Sequence, residues 1–156
     1  MMRRIFSVFL LTALVLSSVV GCASRAHRLG SSFWPEEFPA AAVPTVADHL
    51  ADLMVANYPP GYTVLFLAMS DNPKDELGPA LETALRSRGF TLAPEKGGAA
   101  LSIHYVLDRL DDETWYSRLS VSDGLNLTRT WRWAGDSLLM EAATKTGHTE
   151  KVDGQK

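Results

Sequence analysis

The sequence predicts an α+β fold: a two-layer sandwich with two helices packed on one face of a mixed, mostly antiparallel sheet of four to five strands. Two segments, 45–57 and 77–88, space their apolar residues as amphipathic helices do, and one short apolar strand lies between them. After residue 100, three segments alternate apolar and polar residues and are joined by polar turns, as neighbouring antiparallel strands are.

The first helix is predicted to begin at Thr45, which follows Pro44 and serves as the N-cap. Asp48, three residues on, takes the carboxylate position of a capping box. Pro59-Pro60-Gly61 ends the helix and turns the chain. The predicted stripe comprises Val46, Leu50, Leu53, Met54 and Asn57.

A strand over 62–69 follows, and its apolar character on both faces favours a central place in the sheet. Asp75 is expected to cap the second helix, whose apolar residues run from Leu77 to Leu85. Gly89 is the expected C′ residue, where a helix commonly ends in the left-handed conformation.

The remaining chain predicts strands at 90–93, 101–108, 114–121 and 125–133. Asp123-Gly124 is a strong signal for a hairpin between the last two. Past Gly135 the apolar content fades, so we expect a flexible tail over 136–156.

The amino terminus carries an export pattern. Arg3-Arg4 precede an uncharged run of 16 residues, Ile5 to Val20, and Gly21 stands before the single cysteine, Cys22. The run is shorter than the roughly 20 apolar residues that a transmembrane helix needs. An uncleaved membrane anchor is the main alternative. The predicted division is a cleaved signal peptide over 1–21, a tether over 22–44, a folded domain over 45–135 and the tail.

The segment Val19-Val20-Gly21-Cys22 resembles the lipobox of bacterial lipoproteins, with Val19 where leucine is usual. The resemblance implies cleavage after Gly21 and acylation of Cys22 by diacylglycerol and an N-acyl chain such as palmitate. Lipoproteins retained at the inner membrane commonly carry aspartate after the cysteine. Ala23-Ser24 lacks it, which implies the outer membrane, with the domain facing the periplasm.

Charge and composition exclude several classes of protein. All 18 acidic residues lie after residue 21, against 13 of the 15 basic ones, so the processed chain carries a formal charge of about −5. The sequence has no basic stripe of the kind that binds nucleic acid. With Cys22 consumed by lipid, no thiol remains for a disulfide, and packing alone must hold the domain.

No catalytic constellation and no metal site is predicted. Asp48, His49 and Asp52 fall on one helix, where a solvated face is the favoured interpretation. His104 and Asp108 share a strand face but lie about 13 Å apart along it, too far to pair. We therefore expect no enzyme, no small-molecule substrate and no cofactor beyond the lipid.

Aromatic residues supply the candidate partner-binding sites. Phe33, Trp34 and Phe38 lie among prolines, where they either dock on a partner or fold back on their own domain, and both interpretations stay open. Trp131 and Trp133 share a strand face with Arg129. Core packing is favoured for this pair, with an exposed docking patch as the alternative.

The whole pattern resembles the TrbH family, lipoproteins encoded with conjugal transfer systems. The resemblance is carried by the lipobox, the tether, helix 46–57, Pro59-Pro60-Gly61-Tyr62-Thr63, and helix 77–88 closing on Gly89-Phe90. It implies a structural component of a conjugative type IV secretion system that contacts other envelope proteins of that apparatus. Two alternatives are a lipoprotein regulating another envelope machine, such as a peptidoglycan synthase, and an envelope hydrolase. The lack of a nucleophile argues against the hydrolase.

Overall fold

A computed structural model describes residues 31–35, 37–135 and 137–147 of the chain. The predicted signal peptide, its cleavage residues Val19, Val20 and Gly21, and the lipidation site Cys22 lie outside the described residues. Within the described part, the chain forms two α-helices and one mixed sheet of six strands. No helix in that part is long and apolar enough to cross a membrane.

The sheet has the strand order β2-β1-β3-β4-β5-β6. β1 pairs in parallel with both β2 and β3, and every later pair is antiparallel. The predicted α+β class is confirmed, whereas the predicted count of four to five strands is lower than the six observed. The strands are β1 (Val64–Leu67), β2 (Thr91–Leu92), β3 (Leu101–Arg109), β4 (Thr114–Val121), β5 (Asn126–Ala134) and β6 (Ser137–Thr146).

Helix α1 (Val43–Val55) begins two residues before the predicted start, directly after a 3₁₀ turn at Ala40–Ala42. Its N-cap is Ala42, so the capping box predicted at Thr45 does not form. Pro44 lies in the first turn, where its missing N–H removes no helical hydrogen bond. The helix buries the stripe Val43, Val46, Ala47, Leu50, Ala51 and Met54.

Helix α2 (Leu77–Ser87) connects β1 to the parallel strand β2. The predicted cap is confirmed, because Asp75 Oδ1 accepts hydrogen bonds from the N–H groups of Leu77 and Gly78 at 3.0 and 3.1 Å. Gly89 follows the helix with φ of +88°, a conformation that glycine adopts without steric cost.

The amino-terminal segment is part of the fold. Phe33 N donates to Tyr105 O at 2.9 Å, and Leu107 N donates to Phe33 O at 3.1 Å. The segment thereby pairs with β3 beyond the point where β1 ends. The predicted tether over 22–44 is wrong for the described residues from 31 onwards, because they contribute backbone pairing and core side chains.

The carboxy-terminal prediction also needs correction. Residues 137–146 form β6, which pairs with β5 along its length, where a flexible tail was expected. The strand was missed because its side chains are mostly exposed and small, so alternation is weak. Residues 148–156 lie outside the described part of the chain.

One apolar core lies between the helices and the sheet. Both helices contribute to it, together with the side chains of β3, β4 and β5 that face them. The opposite face of the sheet carries mostly polar, half-buried residues, such as Tyr116, Arg118 and Thr128. The described residues therefore form a two-layer sandwich with both helices on one face of the sheet.

Candidate partner-binding surface

Strand β6 extends past the helix layer and forms, with neighbouring residues of β5, a surface that we call the β5–β6 flank. It consists of Arg129 and Trp133 on β5 and of Leu138, Met140 and Lys145 on β6. The strand register assigns these residues to the side of the sheet that bears the helices. Directly paired residues share a face, and Met140 pairs with buried Trp131, Leu138 with Trp133, and Lys145 with buried Leu127.

The two tryptophans of β5 have different environments. Trp131 is fully buried, its Nε1 donates to Ser117 Oγ at 2.9 Å, and the ring of His49 lies 5.4 Å from its own. Trp133 is only partly buried. The favoured interpretation of core packing therefore fits Trp131, whereas Trp133 packs at the border of the core.

A cleft of about 300 Å³ opens beside Trp133. One wall is the start of α1, and the other is the beginning of β6. Its lining residues are Ala41, Ala42, Thr45, Trp133, Ser137 and Leu138. At this cleft the helix layer ends, and the sheet continues beyond it to β6.

Arg129 places a guanidinium on the flank. Its Nε is buried and has no hydrogen-bond partner in the described part of the chain, and its Nη1 lies 2.8 Å from the sulfur of Met140. Within the described residues, no Asp or Glu lies at ion-pair distance from this guanidinium. A cation therefore lies beneath an exposed methionine, with only a weak acceptor against it.

Lys145 places a second cation at the far end of the flank. Its Nζ donates to Asn57 Oδ1 at 2.6 Å, just past the end of α1. The single carboxylate of β6 does not compensate the flank, because Glu141 reaches Arg132 at 2.7 Å, and Arg132 belongs to the other face of the sheet.

The carboxylates of α1 are likewise directed elsewhere. Arg88, just after α2, binds Asp52 at 2.7 Å and Asp48 at 3.1 Å. The hydrogen bond to Asp52, and then that to Asp48, raise the pKa of the Arg88 guanidinium. Asp48 and Asp52, expected on a solvated face, therefore join the two helices and do not neutralise the flank.

The predicted partner-binding aromatics of the amino-terminal segment are core residues. Trp34 and Phe38 are 4% and 5% exposed, and their rings meet edge to face with centroids 5.8 Å apart. Phe38 continues the contact to Trp115 at 5.0 Å. Of the two interpretations left open, folding back is the one the structure adopts for Trp34 and Phe38. Phe33 is half-buried.

Beside this aromatic cluster lies a cavity of about 540 Å³. The Arg109 guanidinium lies 5.9 Å from the ring of Trp115 and 3.6 Å from Glu37 Oε2. Its charge is therefore matched within the fold, unlike that of Arg129. The lining residues are Phe33, Trp34, Pro35, Glu37, Asn72, Asp108, Arg109 and Trp115.

Tyr105 forms a buried polar link between β3 and α2. Its hydroxyl donates to Asp75 Oδ2 and accepts from Ser70 N at 3.0 Å. Burial, and then the hydrogen bond to Asp75, raise the pKa of Tyr105 well above its ordinary value. The phenol therefore stays protonated at neutral pH and serves the packing of α2 against the sheet.

The histidines and acidic residues do not assemble into a metal site. Among the described residues, no group of three His, Cys, Asp or Glu side chains lies close enough to hold an ion. His104 Nδ1 is buried and has no hydrogen-bond partner, and burial lowers the pKa of this ring, helped by the charge of Lys96. His49, predicted to face solvent, instead points towards Trp131.

Three flank residues, Leu138, Met140 and Lys145, escaped the sequence interpretation because their strand was assigned to the tail. The segment Ser137-Leu138-Leu139-Met140 has three consecutive apolar residues, so it carries no alternation that would predict a strand. Trp133 and Arg129, by contrast, were among the predicted partner-binding residues.

The fold and the flank define a small two-layer α+β domain with a candidate surface for binding another protein. Comparison with known proteins gives the family: residues 26–147, more than three-quarters of the chain, match the family described as conjugal transfer protein TrbH. The chain belongs to the TrbH family, which is not a known family of enzymes. No curated protein and no solved structure matches the chain.

Proposed function

We propose that this protein is a lipid-anchored structural component of a conjugative type IV secretion apparatus, held at the outer membrane and facing the periplasm. Membership of the TrbH family carries the conjugal part of the proposal. The anchor is supported by Cys22, which follows Arg3-Arg4, an apolar run and Gly21. In this proposal the protein acts by binding other components of the apparatus and performs no catalysis itself.

The role in conjugation is tested by deleting the gene from a donor strain. We expect mating frequency to fall to background while growth rate and cell shape stay normal, and expression of the wild-type chain to restore transfer. A deletion strain that conjugates at wild-type frequency would rule out the proposal. A deletion strain with altered cell shape would favour the alternative role beside a peptidoglycan synthase.

The anchor is tested with Cys22→Ser, since only the thiol can form the thioether to diacylglycerol. Several acyl chains, at about 0.8 kcal/mol per buried CH₂, hold a domain firmly in a bilayer, and their loss should release it. We expect the variant to leave the outer-membrane fraction or to remain unprocessed. Membrane fractionation and intact mass are the measurements.

Ser24→Ala is the matched control for Cys22→Ser, because it alters a neighbouring residue and keeps the thiol. It should fractionate as the wild-type chain does. Unchanged fractionation and mass in Cys22→Ser would remove the basis of the lipid anchor and leave the conjugal role to be judged by the deletion.

A further inference from the structure

We infer that the β5–β6 flank binds an amphipathic helix of another component of the transfer apparatus, with an apolar stripe against Trp133, Leu138 and Met140 and a carboxylate on Arg129. The inference rests on the proposed function and specifies the chemistry of the partner. Four observations support it: the width of the sheet, the apolar residues of the flank, the two cations of the flank and its length.

The width of the sheet leaves room for a third helix. Six strands about 4.8 Å apart span about 24 Å from first to last, whereas two helices at 8–10 Å spacing cover about four strands. α2 contacts β2, and α1 contacts β4 and reaches Trp131 of β5 through His49. β6 therefore lies outside the helix layer.

The exposed residues of the flank are apolar where a partner would touch them. Met140 is 46% exposed on the helix side of β6, and Leu138 and Trp133 are half-buried beside it. Tryptophan and methionine are enriched at the centres of protein interfaces. The cleft of about 300 Å³ beside Trp133 gives a side chain of the partner a place to insert.

Charge determines the kind of helix that fits. Arg129 and Lys145 are two cations without a carboxylate at ion-pair distance among the described residues, in a chain of formal net charge −3. Burying Arg129 beneath an apolar partner costs free energy unless an anion pairs with it. A helix that carries Glu or Asp beside its apolar stripe satisfies this requirement, and a basic helix does not.

The length of the flank fixes the size of the partner helix. Seven residues of strand separate Leu138 from Lys145, which corresponds to about 24 Å. A helix rises about 1.5 Å per residue, so about 16 residues, or four turns, lie along the flank. Such a helix continues the layer formed by α1 and α2, because it packs beside α1 over β5 and β6.

Neighbouring residues of β6 provide the test, since Met140 faces the proposed helix and Leu139, 52% exposed, faces the other side of the sheet. Full-length Met140→Asp in the donor should lower mating frequency about tenfold or more, and Leu139→Asp should leave it unchanged. Protein levels are compared by immunoblot. If Met140→Asp does not accumulate, Met140→Gln replaces it with the same expected direction.

A second pair of variants tests the charge. Arg118 also lacks a carboxylate within the described chain, but it lies on the open face of the sheet. Arg129→Gln should lower mating frequency, whereas Arg118→Gln should not. In donors carrying Arg129→Glu, selection for restored mating should recover replacements of Glu or Asp by Lys or Arg in a predicted amphipathic helix of another transfer protein.

Several results would overturn the inference while the deletion still abolishes mating. The first is normal mating by Met140→Asp or Met140→Gln at normal protein level. The second is an equal loss of mating in Leu139→Asp, which would show that a charge on either face of β6 causes the defect. The third is a disulfide-linked homodimer of Met140→Cys, which would make a second copy of this chain the occupant. Normal mating by the deletion strain would instead contradict the proposed function, on which this inference rests.

Discussion

On the face of the sheet that bears the helices, the strands on either side of α1 differ in how fully they are covered. Towards β3, the amino-terminal segment, α1 and α2 enclose Trp34, Phe38 and Tyr105. Towards β6, the same layer of helices ends, and Trp133 and Met140 remain accessible. Aromatic side chains thus close the side towards β3, and a strip of apolar side chains stays accessible at β6. A domain that needed only stability would gain by covering both.

The largest expected difference is between the two tryptophans of β5. Trp131→Ala removes a fully buried ring and the hydrogen bond to Ser117, so it should lower the free energy of unfolding by about 3–5 kcal/mol. Trp133→Ala, at the border of the core, should cost about 1–2 kcal/mol. Urea unfolding of the purified variants measures both. Equal losses would show that the flank is as integral to the core as the covered side.

On the covered side, Tyr105→Phe should cost about 1–3 kcal/mol, because the carboxylate of Asp75 and the N–H of Ser70 lose a buried partner. Since folding raises the pKa of Tyr105, its contribution is fully present below about pH 10, the pKa of an unfolded tyrosine. The contribution is lost as the pH rises above that value, when the unfolded chain gives up the phenolic proton first.

The measurement is urea unfolding at pH 8 and at pH 10.5. The wild-type chain should lose stability between the two, and Tyr105→Phe should lose less. Burial, and then the hydrogen bond to Asp123, raise the pKa of Tyr58 in the same direction, so Tyr58→Phe should also lose less stability than the wild-type chain. Tyr62→Phe, at a side chain that is 93% exposed, is the control and should lose as much as the wild-type chain. A Tyr105→Phe variant with an unchanged pH dependence would contradict this account of the buried hydroxyl.

The smallest effect is expected at the contact that holds α1 beside α2. Arg88→Gln removes two ion pairs whose carboxylates are 60% exposed, so solvent screens them and the cost should be about 1 kcal/mol or less. The difference from wild type should shrink as sodium chloride is raised towards 1 M. Arg86→Gln, which breaks only a helix-surface pair with Glu82, is the control and should change stability less.

The sequence was sufficient to predict both helices, the core strands and the cap by Asp75, because each depends on local periodicity or a short-range hydrogen bond. It was not sufficient for β6, where pairing with β5 and a bulge near Trp131 hold a strand with weak alternation. Trp34 and Phe38 show the same limit, since their burial depends on β3 and Trp115, more than sixty residues away in the chain. Arg129 was identified by residue type. Only the tertiary structure shows that no carboxylate of the described residues pairs with it.

Under the proposed lipid anchor at Cys22, the pairing of Phe33 with β3 has a mechanical consequence. A pull applied at Ser31 first meets the Ser32 hydroxyl, which donates to Ala68 O and accepts from Tyr105 N. It then meets the two backbone hydrogen bonds of Phe33 with β3 and the buried ring of Trp34. β6 lies three strands away, about 14 Å across the sheet, and bears none of that load directly. In the proposed arrangement, the segment that takes the pull of the anchor and the flank that binds the apparatus are thus three strands apart, so tension on the anchor meets the hydrogen bonds of β3 before it reaches the flank.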